Sequence, residues 1–116
     1  MNSSALTIGE TRVGNVCVVT LTGRIDSTNA NEVQSELMRL FGSGEKSVLL
    51  DLGAVLYLTS AAFRALLVAV DEAERNAATL ALCSVAGHVR DLFEMGGLDG
   101  VFTIHGSQGE ALKQFA

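Results

Sequence analysis

Residues 47–75, SVLLDLGAVLYLTSAAFRALLVAVDEAER, decide the fold of this chain. They begin with a run of apolar residues, 48–52, and continuous apolar runs of that length are typical of a strand buried on both faces. A short loop is expected next, and then a run of good helix formers that begins at Thr59-Ser60. The large apolar side chains of that run recur at helical spacing and predict one inward stripe: Phe63, Leu66, Leu67 and Val70.

Thr59 and Ser60 stand where the predicted strand has ended and the helix begins. One interpretation is a helix cap, because Ser and Thr oxygens accept hydrogen bonds from the free N–H groups of a first turn. The other is a hydroxyl presented to a partner, because residues 55–58 are unusually apolar for a surface loop. Small side chains would give the helix a smooth face for such a partner: Ala61, Ala62, Ala65 and Ala69. The local sequence leaves both interpretations open.

The composition describes one globular domain, residues 1–116, with 48% hydrophobic residues and a net charge of −5. Lys and Arg are not clustered anywhere, so nucleic acid is excluded as a partner. Residues 1–10 lack the basic and apolar regions of a signal peptide. The longest mostly apolar run, 61–70, is too short to cross a bilayer and contains Arg64. We therefore expect a cytoplasmic protein with no direct membrane insertion.

The cysteines and histidines predict no metal site and no cofactor. Cys17 and Cys83 lie in separate apolar runs without a Cys-x-x-Cys spacing, which indicates buried free thiols. His88 and His105 stand apart from each other and from any cluster of potential ligands. A structural or solvated role is expected for both histidines.

The first third of the chain predicts a hairpin and a helix. Strands at 6–11 and 16–22 flank the turn signal Gly14-Asn15. The segment 23–26 is then expected to leave the sheet, and Asn29 and Glu32 are expected to form a capping box for a helix ended by Gly42. Its inward stripe is predicted to be Ala30, Val33, Leu37, Leu40 and Phe41.

The last third alternates in the same way. A strand at 79–84 precedes a helix that ends at Gly96-Gly97, and a strand at 101–104 precedes a terminal helix with a capping box from Ser107 to Glu110. The inward residues of the penultimate helix are predicted to be Val85, Val89, Leu92 and Phe93, and those of the last helix Leu112 and Phe115.

The resulting order is ββαβαβαβα, which predicts an α/β fold. We expect a mixed, mostly parallel sheet with an N-terminal β-hairpin and with helices packed on it. Function gathers at the carboxyl ends of the strands in such sheets. Asp26, Asp51 and the Thr59-Ser60 pair should all lie near that edge.

The motifs of common enzymes are absent from the sequence. It contains no G-x-S-x-G nucleophile motif, no phosphate-binding loop of the Walker type and no G-x-G-x-x-G fingerprint. Asp26 and Asp51 form a conceivable pair of catalytic carboxylates, but aspartates at strand exits more often accept hydrogen bonds from turn N–H groups. The chain is therefore not predicted to be an enzyme.

Three segments together resemble a STAS domain of the anti-sigma factor antagonist family, and the resemblance covers nearly the whole chain. They are VVTLTGRIDSTNANEVQSEL, SVLLDLGAVLYLTSAAFRALL and VRDLFEMGGLDGVFTI, the last followed by a helix. The family's Gly-x-x-Asp matches residues 23–26, its strand aspartate matches Asp51, and its phosphorylated serine falls on Ser60. Where the family has Asp-Ser-Ser-Gly, this chain has Thr59, Ser60, Ala61 and Ala62.

The resemblance implies a non-catalytic partner-switching regulator of transcription in bacteria. Such a protein binds an ATP-dependent anti-sigma factor serine kinase and so frees a sigma factor, phosphorylation ends the binding, and a phosphatase resets the switch. The implied phosphorylation site is Ser60, with Thr59 as the alternative acceptor. The implied partner-binding residues are Asp26, Ser27, Thr59, Ser60, Ala61 and Arg64. The alternative function is an accessory subunit of a membrane lipid or anion transport system, and a small-ligand or nucleotide-binding domain is the weakest option.

Overall fold

The computed structural model describes residues 6–98 and 100–115 and confirms the predicted order of elements. Residues 1–5, which are part of the segment considered for a signal peptide, and the predicted domain limits at residues 1 and 116 lie outside the described residues. The strands are β1 (Leu6–Val13), β2 (Val16–Ile25), β3 (Ser47–Leu58), β4 (Thr79–Cys83) and β5 (Thr103–His105). The helices are α1 (Ala30–Gly42), α2 (Ser60–Arg75), α3 (Gly87–Met95) and α4 (Gln108–Phe115).

The five strands form one mixed sheet in the order β1-β2-β3-β4-β5. β1 and β2 form the predicted antiparallel hairpin, and every other neighbouring pair is parallel. A parallel pair needs a crossover connection, and α1, α2 and α3 supply the three crossovers. The carboxyl ends of β2 and β3 consequently lie at the same edge of the sheet.

The two faces of the sheet are covered unequally. One face packs against α1, α2 and α3, and alternate strand residues such as Val19, Leu50 and Leu82 are buried there. On the other face α4 covers a smaller cluster that includes Leu49 and Ala81. β3 contributes to both clusters, which confirms that it is buried on both sides along residues 48–52.

The strands β2 and β3 are longer than their sequence pattern predicts. Residues 23–25 were expected to leave the sheet and residues 55–58 to form a loop, yet both segments are paired strand. Two register shifts, between Thr20 and Thr22 and between Gly23 and Arg24, add extra residues to β3 and break the period of two on which the prediction depended. Gly23 adopts a φ of 114° at the second shift, a conformation that glycine tolerates best.

The inward stripe of α2 was predicted only in part, because Leu66 is fully buried as expected but Leu67 is not. The fully buried residues are mostly the small ones that were expected to form a free face: Ala62, Ala65, Leu66, Ala69 and Ala73. Phe63 and Val70 are partly buried at the side of the core, and Leu67 is 36% exposed. Small side chains allow the helix backbone to approach its neighbours closely, so the alanine face is buried against the sheet and α1.

α1 and α3 follow the prediction, whereas the buried residue of α4 is Ala111 and the predicted Leu112 and Phe115 are only partly buried. The buried residues of α1 are the five predicted ones, and Val89 and Phe93 form the buried face of α3. Ser107 Oγ accepts a hydrogen bond from the N–H of Glu110 at the start of α4, which is one half of the predicted capping box. Among the described residues, no helix combines the length and the hydropathy that crossing a bilayer requires.

Candidate functional site

The site is built where β2 and β3 end side by side. The backbone N–H of Thr59 donates to the carbonyl of Ile25 at 3.1 Å, and the Thr59 hydroxyl points at the same carbonyl at 3.4 Å. These contacts fix the chain just before α2 to the chain just before Asp26. We call the six residues that the sequence assigns to partner binding the strand-end corner: Asp26, Ser27, Thr59, Ser60, Ala61 and Arg64.

The hydroxyls of Thr59 and Ser60 do not cap α2 in the described structure. Thr59 occupies the N-cap position, but its side chain is turned toward β2 and makes no capping hydrogen bond. Ser60 is the first residue of the helix, is exposed, and has no hydrogen bond from its hydroxyl to any described residue. The first N–H groups of α2 therefore lack a side-chain acceptor from the N-cap, and the Ser60 hydroxyl faces solvent beside them.

Asp26 is held in a tight turn at the end of β2. One carboxylate oxygen accepts hydrogen bonds from the hydroxyl of Thr28 and from its backbone N–H, the latter at 2.9 Å. This is the pattern of an Asx turn, which fixes the aspartate without help from other strands. The Thr28 hydroxyl first, and its N–H second, hold the pKa of Asp26 below its ordinary value. Asp26 is therefore a negative charge in a fixed position.

Asn29 is a structural residue of the site whose role sequence reasoning misassigned. Its side chain is 2% exposed and was predicted to cap α1 together with Glu32. Instead, its Oδ1 accepts from the N–H of Asp26 at 2.9 Å, and its Nδ2 donates to the carbonyl of Arg24 at 3.0 Å. A capping asparagine and one that bridges back to a strand have the same sequence signature, so only the fold distinguishes them. Asn29 joins the end of β2 to the start of α1.

The other residues of the strand-end corner form an accessible surface. Ser27 and Arg64 are exposed, and Ala61 is half-buried. Arg64 lies one helical turn after Ser60, so both side chains point to the same side of α2. The guanidinium of Arg64 makes no ion pair or hydrogen bond with any described residue.

Asp51 does not belong to this surface, contrary to the expectation that it marks the end of its strand. β3 continues for seven residues beyond it, to Leu58, and at roughly 3.3 Å per residue that places Asp51 about 20 Å from the strand end. It shares the sheet face covered by α4, where its carboxylate accepts from Gln108 Nε2 and from the N–H of Gly53, both at 2.8 Å. Asp51 and Asp26 therefore cannot act as a catalytic pair.

The thiols and histidines contribute no reactive centre near the corner. Cys17 and Cys83 are buried and free, as predicted. Burial, followed by the nearby Glu10 and Glu45 carboxylates, raises the pKa of Cys17 to about 11, and burial raises that of Cys83 as well. In the described part of the chain no group of three or more His, Cys, Asp or Glu side chains is arranged to hold a metal ion.

Two exposed apolar side chains next to the corner were not predicted to be site residues. Leu56 and Tyr57 are 58% and 42% exposed, although they lie within β3. The Arg24 guanidinium carbon lies 5.7 Å from the centre of the Tyr57 ring, within range of a cation–π contact. His88 Nε2, at the start of α3, lies 2.9 Å from the Leu56 carbonyl oxygen. The apolar composition of residues 55–58 was the available signal, but it was assigned to a loop.

Cavities lie elsewhere in the molecule. One of 340 Å³ opens between the sheet and α4 and is lined by residues that include Thr79, Thr103 and His105. Another of 160 Å³ lies beside the second half of α2 and includes Val70 and Val101. Neither of them includes a residue of the strand-end corner.

Comparisons with known proteins agree with this architecture. The family model described as STAS domain matches residues 10–111. BtrV of Bordetella bronchiseptica, provisionally named an anti-sigma factor antagonist, is 31% identical over 104 residues, which are 90% of each chain. An anti-sigma factor antagonist from Mycobacterium paratuberculosis superimposes with a TM-score of 0.85 at 20% identity, covering 94% of this chain and 92% of that one. The phosphorylated form of SpoIIAA from Bacillus superimposes with a TM-score of 0.74 at 17% identity, covering 95% and 100%.

Proposed function

Because this chain belongs to the STAS domain family, we propose that it is an anti-sigma factor antagonist whose partner binding is controlled by phosphorylation at Ser60. The proposed partners are an anti-sigma factor serine kinase, which uses ATP, and a phosphatase that removes the phosphate. The proposed domain comprises residues 1–116 and acts in the cytoplasm without catalysing a reaction itself. The single observation that carries the proposal is that Ser60 is exposed at the start of α2, where no side chain caps the helix.

The names of the relatives support this function. BtrV shares 31% identity over most of both chains and is provisionally named an anti-sigma factor antagonist. SpoIIAA has been solved in a phosphorylated form, so a protein of this fold accepts a phosphate. The alternative of a transport accessory subunit has weaker support: the sulfate transporter family protein from Wolinella succinogenes matches at 14% identity, whereas the 31% identical BtrV carries the antagonist name.

The strand-end corner is suited to docking because it is both rigid and open. Two hydrogen bonds join Thr59 to Ile25, and Asn29 fixes the backbone on either side of the Ile25 position. A preorganised surface loses little conformational entropy when a partner binds. The kinase is proposed to contact the whole corner, with Ser60 near its centre.

Phosphorylation at Ser60 is expected to leave the fold intact. A phosphate adds about −1.5 to −2 charges at neutral pH. The start of a helix tolerates an anion, with a gain of roughly 0.3–1 kcal/mol, because the free N–H groups and the helix dipole are positive there. Ser60 has no described hydrogen bond that the phosphate would break.

The same modification is expected to end partner binding. A partner shaped for a small hydroxyl would have to remove water from a strongly hydrated dianion. If this costs about 3 kcal/mol, the affinity falls on the order of a hundredfold. The switch therefore acts at the interface and not through unfolding.

Thr59 is the less suitable acceptor. Its hydroxyl is directed at the Ile25 carbonyl and its side chain is only partly exposed, whereas Ser60 is exposed. A kinase would first have to break the contact to Ile25 and rotate the Thr59 side chain. This geometry supports Ser60 as the phosphorylated residue.

The test is phosphorylation of wild type, Ser60→Ala, Ser60→Asp and Thr59→Ala by the cognate anti-sigma factor kinase with ATP. Peptide mass spectrometry locates the phosphate, and titration calorimetry measures binding. We expect phosphate on Ser60 in the wild type and in Thr59→Ala, tight binding without phosphate for Ser60→Ala, and weak binding for Ser60→Asp with an unchanged melting temperature. Phosphate on Thr59 would move the site by one residue. Tight binding without any phosphate would favour constitutive docking, and absence of wild-type binding would refute the proposed function.

A further inference from the structure

Leu56 is the extra residue of a β-bulge in β3. Gly23 pairs with Val55 and the next residue, Arg24, pairs with Tyr57, so Leu56 has no partner in β2. Bulges redirect a side chain away from the regular alternation of a strand. The Leu56 side chain is 58% exposed, although Val55 before it and Leu58 after it are buried.

The bulge is held in place from outside the sheet. β4 pairs with β3 only as far as Asp51, so the Leu56 carbonyl has no strand partner on that side. His88 Nε2 lies 2.9 Å from this carbonyl oxygen, and in the tautomer that carries the Nε2 proton it donates a hydrogen bond. The contact connects α3 to the bulge and fixes the backbone from which Leu56 projects.

This apolar side chain is close to the strand-end corner. Ser60 follows Leu56 by four positions in the chain, and four fully extended residues span at most about 14 Å. On α2, the residues that follow Ser60 at helical spacing on the outer side are Arg64 and Leu67, and Leu67 is 36% exposed. Two leucines therefore flank the serine and the arginine, one from β3 and one from α2.

The strand-end corner carries one negative charge, on Asp26, and one positive charge, on Arg64. The protein has a net charge of −5, yet Arg64 has no ion pair among the described residues, and Arg24 lies over Tyr57 at the same edge. Three other arginines are neutralised by carboxylates: Arg12 by Glu45, Arg39 by Glu10 and Glu36, and Arg75 by Asp71 and Glu72. The free guanidinium of Arg64 is available to a carboxylate on a partner.

We propose that Leu56 is the apolar anchor of the partner interface, inserted into an apolar socket whose rim carries carboxylates that pair with Arg64. The inference rests on the proposed function and adds the chemistry of the partner's surface to it. A side chain on a fixed backbone loses little entropy on docking, and arginine is among the residues enriched at binding hot spots. The proposed partner is therefore a protein whose surface combines an apolar socket for Leu56 with a carboxylate opposite Arg64.

The test compares Leu56→Ser with Val13→Ser by titration calorimetry against the cognate anti-sigma factor kinase. Val13 is 45% exposed at the hairpin, at the opposite end of β2, and is the matched control. Leu56→Ser should weaken binding by roughly thirtyfold, the loss typical of a hot-spot residue, with an unchanged melting temperature. Val13→Ser should bind as wild type does, and Leu56→Met should retain most of the affinity.

The charge of the socket is tested by Arg64→Glu against Lys113→Glu, since both reversals change the net charge by −2. Lys113 lies on α4, on the other face of the sheet, and also has no described ion pair. Arg64→Glu should weaken binding at least tenfold more than Lys113→Glu, and the difference should shrink at high salt. Equal losses for the two reversals would overturn the acidic rim.

His88→Ala separates the anchor from a merely exposed leucine. The variant removes the contact to the Leu56 carbonyl but no proposed docking side chain, so it should weaken binding by a smaller factor. In the Leu56→Ser background it should have no further effect, since the two act as one unit. If the wild type binds the kinase and Leu56→Ser binds it equally well, Leu56 is not the anchor, and the proposed function still stands. A wild type that fails to bind refutes the proposed function and the anchor with it.

Discussion

Asn29→Ala should be among the most damaging single changes at the strand-end corner. The side chain is 2% exposed and makes one hydrogen bond to the N–H of Asp26 and one to the carbonyl of Arg24. Each such bond contributes about 0.5–1.5 kcal/mol, and leaving a buried polar group without a partner costs about 1–3 kcal/mol. We expect a loss of about 2–4 kcal/mol, which for a domain of this size lowers the melting temperature by roughly 8–16 °C.

The assay is thermal and urea unfolding followed by circular dichroism, with Asn31→Ala as the control. Asn31 is the same residue type, two positions further along α1, but it is exposed. Its replacement should change the free energy of unfolding by no more than about 0.5 kcal/mol. Asn29→Asp keeps the acceptor but loses the donor to the Arg24 carbonyl, so its stability should fall between that of wild type and that of Asn29→Ala. Equal stability of the two alanine variants would refute the bridging role of Asn29.

Three further predictions follow from the packing and the titratable groups. Leu66→Ala should lower the free energy of unfolding by about 2–5 kcal/mol, because Leu66 is only 1% exposed. Leu67→Ala, at a 36% exposed position, should lower it by less than about 1 kcal/mol. Similar losses for the two variants would mean that the buried face of α2 is assigned wrongly. Since folding lowers the pKa of Asp26, the carboxylate stabilises the native state above its ordinary pKa of 3.8, and this stabilisation is lost as the pH falls through the lower native value. Carboxyl NMR titration should show a higher Asp26 pKa in Thr28→Val, which loses the hydroxyl but keeps the backbone N–H, than in wild type, and equal values would exclude the Thr28 hydroxyl as a cause. Cys17, whose pKa is raised to about 11, should react with a thiol reagent at pH 8 far more slowly in the native state than in urea, and equally fast reaction would show that it is not protected.

The order of elements was predictable because hydrophobic periodicity is a local property. In α1 apolar residues recur among polar ones with a period near 3.6, and the five residues predicted from this pattern are the ones that the structure buries. In α2 the apolar residues cover a broad part of the circumference, opposite a polar side that includes Ser60, Arg64 and Asp71, so the pattern did not determine which apolar residues lie deepest. The larger Phe63 and Leu67 were expected inside, but the alanines are buried because they let the backbone approach its neighbours.

The ends of the strands were less predictable because the alternation of apolar and polar residues in a sequence does not reveal where a β-bulge occurs. Two register shifts place extra residues in β3, so that every third residue is buried, at Leu52, Val55 and Leu58, and the pairs 53–54 and 56–57 between them are exposed. This irregular pattern resembles a loop in the sequence. The same shifts explain why Asp51 was placed at the end of a strand that in fact continues to Leu58.

The motif order predicted that the segments around Asp26 and Thr59 lie at one edge of the sheet, whereas the local sequence did not predict the contacts between them. Asp26, Thr59 and Ser60 are brought together as expected, but the contacts that hold them come from backbone carbonyls at the ends of β2 and β3 and from Asn29. Every residue has a backbone carbonyl, so contacts to carbonyls cannot be predicted from composition or from the spacing of residues. They become visible only when the two strand ends are adjacent.

Under the proposed function, the same backbone contacts would let a phosphate on Ser60 act on binding without disturbing the fold. The segments on either side of Ser60 are fixed independently, by the Thr59–Ile25 hydrogen bond on one side and by the buried face of α2 on the other. A phosphate on the exposed hydroxyl has no buried group to displace, so it creates no strain that the fold would have to relieve. The cost of removing water from the phosphate would therefore arise only when a partner binds to the corner. A less rigid corner would rearrange around the phosphate, and part of the discrimination between the two states would be lost.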